Sequence, residues 1–332
     1  MEKKSIWKKI TGSREASLVI VLVLLCILVT IKNPAFLTVQ NFMEILKNNA
    51  VIMIMALGML CVLLTGGIDI SITSTLALAG MTVGMLYKYN VIESTLLGFV
   101  IAIAIGTLCG LIIGLIIAKG KVIPIIATMG FMYIYRGLAY LVAQDQWAGA
   151  DALGRFKDFA LESYLGFGVL NNVIVITILC YIVFFILMKW TKFGRNIYAV
   201  GSNEEAAQIS GINVSNVKIA VYTIMGALAG LCGALATSIY ASAQPNMQTS
   251  KEMDVIAACV IGGVSMKGGR GSVICALLGA LVLSVIGKAL PLVGIDAIAQ
   301  NTIKGVIIIV VIVLNVLTQR MMDKANLAKR EI

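Results

Sequence analysis

Residues 189–218 read KWTKFGRNIYAVGSNEEAAQISGINVSNVK, a polar stretch set between apolar segments long enough to cross a bilayer. A core of about 30 Å needs about 20 consecutive apolar residues in a helix, and the flanking runs near 170–190 and 217–241 meet that length. Within the polar stretch, Asn203-Glu204-Glu205-Ala206-Ala207 followed by Gly211 reads as a short helix with acids at its N-terminus and a glycine at its end. Lys192, Arg195 and Lys218 bracket it. A solvated helix between two spans has little to do inside a self-contained membrane protein, and reads as a surface on which another protein pushes.

Working outward, the chain has 60% hydrophobic and 13% charged residues over 332 positions. Soluble domains carry about 25% charged residues, so the charge needed to solvate a globular surface is missing. Backbone groups in lipid must be satisfied within helices or a closed barrel. The apolar runs are continuous rather than alternating, which selects helices. The expected fold is an all-α polytopic membrane protein of about ten spans, near 16–36, 50–65, 72–89, 92–118, 122–143, 170–190, 217–241, 254–266, 272–293 and 300–318. Lys3, Lys4, Lys8, Lys9 and Arg14 precede the first run, and no small-residue cleavage site follows, so it is read as an uncleaved span.

Basic residues then set orientation. With both termini cytoplasmic, the inner side gathers the N-terminal arm, Lys119, Lys121, the 189–218 stretch, Lys267, Arg270 and the tail from Arg320 to Arg330. The outer side keeps only Lys32, Lys47, Lys88, Arg155, Lys157, Lys251, Lys288 and Lys304. The expected organisation is a cytoplasmic arm over 1–15, a transmembrane domain over 16–318 with a coupling loop at 191–216 and an outer loop at 144–169, and a cytoplasmic tail over 319–332. The net charge of +10 thus reports topology and contact with anionic membrane lipid, and no nucleic-acid partner is expected.

The chain has no histidine, the commonest catalytic base and metal ligand. Its seven cysteines, 26, 61, 109, 180, 232, 259 and 275, all lie in apolar runs and read as packed thiols rather than a metal cluster or disulfide framework. No catalytic residue and no metal site is expected.

Four other motifs stand out. In Leu64-Thr-Gly66-Gly67-Ile-Asp69-Ile-Ser71, a carboxylate sits between two spans. An intramembrane acid is a functional candidate, and paired glycines free backbone groups for a ligand; equally, Asp69 reads as a cap for the following helix. The run Gly262-Gly263-Val-Ser-Met-Lys-Gly268-Gly269-Arg270-Gly271-Ser has the glycine to cradle a phosphate, but the G-x-x-x-x-G-K-[ST] pattern occurs nowhere in the chain. It reads as a tight turn, and the chain is not expected to hydrolyse nucleotide. Gly106, Gly110 and Gly114, with Gly226 and Gly230, mark faces for close helix packing. Finally, Tyr133, Tyr135, Arg136 and Tyr140 suit either a hydroxyl-rich solute path or an interfacial aromatic belt with a snorkelling arginine. The outer loop, with Asp145, Asp151, Asp158, Phe156, Phe159, Tyr164 and Phe167, reads as a docking site for an extracytoplasmic partner or as an interfacial helix.

Thr65 to Ser71, Val200 to Ile212, Ser242-Ala-Gln-Pro245 and Gly262 to Ser272, in that order, resemble the permease subunits of bacterial ABC-type sugar importers of the ribose/xylose/rhamnose/autoinducer-2 class. The similarity runs from about residue 20 to 318. Thr73 stands where that family usually has glycine. The resemblance implies a pore of two permeases, a second copy or a paralogue. It implies a cytoplasmic ATPase subunit that carries the ATP and Mg, with no cofactor on this chain. It also implies an extracytoplasmic sugar-binding protein, a place in the bacterial inner or plasma membrane, and a coupling helix at Glu204–Gly211. Gly66, Gly67, Asp69, Tyr133 and Arg136 are candidates for the substrate path. Permeation of nucleosides or branched-chain amino acids is the alternative, and an ion-coupled secondary transporter a more distant one. An intramembrane enzyme is disfavoured because no nucleophile–base pair stands out.

Overall fold

The computed structural model describes residues 14–160, 162, 171–296, 299–300, 302–306, 309–310 and 313. The expected N-terminal arm, the C-terminal tail, most of the 300–318 span, Tyr164 and Phe167 lie outside the described residues. Among the described residues the helices are, in chain order, α1 (Arg14–Lys32), α2 (Val39–Leu64), α3 (Ile72–Lys88), α4 (Thr95–Ala118), α5 (Pro124–Ala143), α6 (Asn172–Trp190), α7 (Lys192–Ser202), α8 (Glu204–Ile209), α9 (Val214–Ile239), α10 (Lys251–Ile261) and α11 (Val273–Leu292), with further helical residues between 299 and 313. Ala148 and Ala243 form an isolated antiparallel β-bridge.

Six of these helices, α2, α4, α5, α6, α9 and α11, are long and apolar enough to cross a membrane. The helix expected at 50–65 begins at Val39 instead. Its first turns, Val39 to Asn49, carry Gln40, Asn41, Glu44, Lys47 and Asn48, whose polarity hides them from a hydropathy reading. The polar stretch at 191–216 holds two helices rather than one, since α7 precedes α8.

α2 is the central post: from Ala50 to Leu64 every residue except Ile52 is buried. Apolar burial does not drive helix association in lipid; close packing does. α4 and α9 meet through their glycine faces. A Cβ on Gly226 would collide with the Gly106 carbonyl and lie 2.7 Å from the Gly110 Cα. A Cβ on Gly110 would lie 2.9 Å from the Gly226 Cα. No side chain fits there without separating the helices. Gly226→Val is therefore expected to destabilise the bundle by about 1–3 kcal/mol, read as a lowered thermal midpoint in detergent. Gly137→Val, at a position with nothing within 4 Å, should leave the midpoint in place.

Two helices are short, and they share an arrangement. α2 continues into a non-helical stretch, 65–71, before α3 begins; α9 continues into another, 240–250, before α10 begins. α3 ends at the upper pole, where Lys88 Nζ donates to Gln146 Oε1 at 2.7 Å. α10 leads into the glycine turn at the opposite, lower pole, where Gly269 N–H donates to the carbonyl of Leu64 at 3.0 Å. The N-terminal turns of the two helices meet between the poles, Thr73 Oγ1 donating to Glu252 Oε2 at 2.6 Å. The 11 residues of α10 span about 16 Å, half of the roughly 30 Å hydrocarbon core. Residues 254–266 thus form half a crossing followed by a turn.

The upper loop is a packed cap. Phe156 is fully buried against Tyr87 and Phe99, with ring centroids at 4.9 and 5.4 Å. The Ser238 hydroxyl donates to the Phe156 carbonyl at 2.7 Å and accepts from Ala160 N–H at 3.0 Å. Its described part contains two 3-10 turns and no α-helix, which disfavours the interfacial-helix reading there. Asp145, Asp151 and Asp158 are exposed on it.

Candidate functional site

At the lower pole, α8 is a six-residue helix, too short to persist by propensity alone. Its ends hold it. Asn203 caps the N-terminus, its Oδ1 accepting from Ala206 N–H at 2.9 Å, and Glu204 and Glu205 complement the positive end of the helix dipole. Gly211 closes the other end at φ +82° with no neighbour near its Cβ position, so the backbone angle and not space requires glycine. Ile212 N–H returns to the Ala207 carbonyl at 3.0 Å. Glu204 reaches Lys218 of α9 at 2.7 Å. Ala207 is buried beneath the helix, whereas Ile209 is 88% exposed at its tip.

Behind α8, three stretches that are distant in sequence interlock through their backbones. A Cβ on Gly201 would collide with the Leu64 carbonyl. One on Gly268 would sit 2.7 Å from the Gly201 carbonyl and 3.0 Å from that of Leu64. Gly263, Gly268, Gly269 and Gly271 all have positive φ, and Gly262 packs on the Cys275 carbonyl, so the glycine-rich segment is a tight turn built for close approach. Arg270 contributes its carbonyl, which accepts from Ser265 N–H at 2.8 Å. Tyr198 of α7 donates to the Gly271 carbonyl at 2.8 Å, and burial raises its phenol above the ordinary value, which keeps that donor protonated. Gly66, Gly67, Asn203, Glu204, Lys218 and Lys267 all line one cleft of about 350 Å³. A displacement of the end of α7, which runs into α8 through Asn203, therefore reaches the end of α2 and the α10–α11 turn with no flexible side chain in between.

The remaining candidates lie elsewhere. Asp69 is 2% exposed in the 65–71 stretch, and its Oδ1 accepts from the Ser71 N–H at 2.9 Å and the Ser71 hydroxyl at 2.6 Å. It shapes the turn entering α3 by holding the cap residue. Arg136 and Tyr133, three positions apart on α5, differ in their surroundings: Tyr133 is 69% exposed. Arg136 points to the junction of the two short helices. Its Nη1 donates to the carbonyls of Pro245 and Met247 at 2.8 and 3.0 Å, and its Nη2 approaches Thr73 Oγ1 at 3.4 Å. The Thr73 hydroxyl thus accepts from a guanidinium and donates to the buried Glu252 carboxylate.

Glu252, Ile209, Tyr198 and Gly201 are absent from the residues singled out in the sequence, and Thr73 enters there only as a departure from the family's glycine. Glu252 sits in Lys-Glu-Met-Asp, which has the composition of a solvated turn. Ile209 had a usable signal, an isolated large apolar residue in a polar stretch.

The chain matches, over residues 41–314, the family described as branched-chain amino acid transport system / permease component. It is 37% identical over 295 residues to the ribose import permease protein RbsC of Bacillus subtilis, covering 89% of this chain and 90% of that protein. It is 34% identical over 258 residues to the L-arabinose transport system permease protein AraH of Escherichia coli, covering 78% and 77%. Identity to the galactose/methyl galactoside import permease protein MglC of Escherichia coli is 33% over 330 residues, covering 95% and 97%. No solved structure matches.

Proposed function

The chain belongs to the branched-chain amino acid transport system / permease component family, and on that premise we propose that it is the pore-forming permease subunit of an ATP-driven importer of a monosaccharide or related polyol-like solute. The family description speaks of amino acids, but the relatives similar over most of both chains are permeases for ribose, L-arabinose and galactose, which favours a sugar.

The observation that carries the mechanism is α8: a capped helix, apolar at its exposed tip, entered directly from α7, whose last turn is locked to α2 and the glycine turn through backbone contacts. In this reading it is the coupling helix, formed by Asn203 to Ala207 and Gly211 with Ile209 as its anchor. It seats in a separate cytoplasmic ATPase subunit that holds ATP and Mg²⁺. Closure of that subunit moves α8 as a rigid body and biases the pore between two states. Solute passes near the junction where α3 and α10 meet, with Gly66, Gly67, Asp69, Tyr133 and Arg136 as candidate path residues. An extracytoplasmic sugar-binding protein docks on the upper face, where Asp145, Asp151 and Asp158 are exposed. A second copy or a paralogue completes the pore. The basic lower pole faces the cytoplasm of a bacterial cell, the bilayer is its inner or plasma membrane, and both termini lie on the inner side.

Reconstitution tests this. Liposomes holding the permease with its ATPase are expected to accumulate labelled ribose, arabinose or galactose only when ATP is inside and the binding protein outside. Uptake of sugar by the chain alone under a proton or sodium gradient overturns the reading, and uptake of leucine in place of all three sugars moves it to amino acids.

A further inference from the structure

An apolar groove of about 580 Å³ runs along the outside of the bundle between α2, α6 and α11. Its floor is one stripe of α6, at three- and four-residue spacing from Ile174 to Ile186, walled by Phe42 and Leu46 of α2 and by Ile274 and Leu277 of α11. The stripe measures about 18 Å at 1.5 Å per residue, more than one leaflet of a roughly 30 Å core. The groove offers a ligand no hydrogen bond from its two hydroxyl residues. Thr177 Oγ1 donates to the Val173 carbonyl at 2.8 Å, and Tyr181 Oη to that of Met53 at 3.0 Å.

Its lower end is different. Trp190 closes the groove there, and the Lys189 ammonium stands 5.1 Å from the Phe185 ring centroid and 5.6 Å from that of Trp190, both rings lining the groove. Lys192 and Arg195, exposed one turn apart on α7, follow Lys189 closely in the chain. No carboxylate pairs with any of the three among the described residues. The Lys189 ammonium thus stands at the mouth of a slot shaped for a hydrocarbon chain, with two further exposed cations in the helix that follows it.

We infer that this groove holds one anionic phospholipid, an acyl chain against α6 and the phosphate at Lys189, Lys192 and Arg195. Basic residues at the end of a membrane helix attract anionic headgroups, and tryptophan anchors at the same depth. A second copy of the chain is the poorer occupant. Copies related about an axis along the bundle would bring two such cationic clusters to the same pole, and like charges brought together oppose association. The lipid would steady the elbow between α6 and α7, and so the base on which α8 rests. The site does not depend on which solute the pore carries, so its failure leaves the transport reading standing.

Native mass spectrometry of the purified chain, with phosphatidylglycerol or phosphatidylcholine of the same acyl composition, tests it. Wild type is expected to retain phosphatidylglycerol at least tenfold over phosphatidylcholine. The variant K189Q/K192Q/R195Q is expected to bring the two within twofold, with an unchanged size-exclusion profile. Leu277→Trp, which fills the groove, is expected to remove both. Equal retention by wild type, or a preference that survives the triple variant, overturns the proposal. So does a photocrosslinker at Ile178 that joins a second copy of the chain in membranes rather than phospholipid.

Discussion

A permease carrying Ile209→Asp is expected to fold, insert and yet fail to hold its ATPase. Ile209 is the most exposed large apolar residue described in the chain, at 88%, and it stands at the tip of a helix whose own geometry does not use it. The helix is held by the Asn203 cap, the Gly211 turn, the Glu204–Lys218 pair and the buried Ala207. Substituting a residue that touches little in its own chain leaves the fold intact. Placing a carboxylate at the centre of a protein interface buries an unpaired charge, and central anchors contribute about 2 kcal/mol or more. The expected result is a loss of ATPase affinity of roughly 30-fold or more, measured by co-purification or by interferometry on the reconstituted permease. ATP-driven uptake should fall in step, while the thermal midpoint of the isolated permease stays at the wild-type value. Undiminished ATPase binding would remove α8 as the coupling element.

Arg136→Leu is expected to be the most damaging single change at the junction of the short helices. It strips the Pro245 and Met247 carbonyls of their donor and leaves Glu252, buried and bonded only through Thr73, without its cation. Arg136 and Glu252 meet through the Thr73 hydroxyl rather than as a direct ion pair, so the cost is that of leaving buried acceptors without their donor, about 1–3 kcal/mol. Uptake and thermal midpoint should both drop. Removing the partner as well, in R136L/E252L, should recover most of the midpoint, because no uncompensated charge is left, without recovering uptake. Arg136→Lys should fall between, since one ammonium cannot reach two carbonyls and a hydroxyl with the geometry of a planar fork. A single variant that melts like wild type, or a double variant no better than the single, would show that the network does not hold the 240–250 stretch.

Much of the lower pole was legible in the chain because its features are local. Glu204, Glu205 and Gly211 announce a short helix by dipole and backbone-angle rules that act within a few residues, and the polar run around them stands out against apolar neighbours. The glycines of α4 and α9 were legible as packing faces by their four-residue spacing, though not as partners of each other. Arg136 and Tyr133 lie three positions apart on one helix, and spacing alone does not tell that Tyr133 is exposed while Arg136 is held by the 240–250 stretch. Thr73 was visible only as a departure from a pattern, and Glu252 was not visible at all, because the hydroxyl and the carboxylate that it joins are 179 positions apart.

By itself, then, the sequence determined that the chain is a helical membrane protein, which polar segment stands outside it, and to which permeases it is akin. Apolar length and local helix-ending chemistry are properties of contiguous residues. Only the tertiary structure decided that α3 and α10 are short helices meeting head to head, that Arg136, Thr73 and Glu252 form one network, and that Gly201, Leu64 and Gly268 lock the end of α7, and with it the entry to α8, to the bundle. Those contacts depend on backbone approach between distant segments, which no hydropathy or spacing rule encodes.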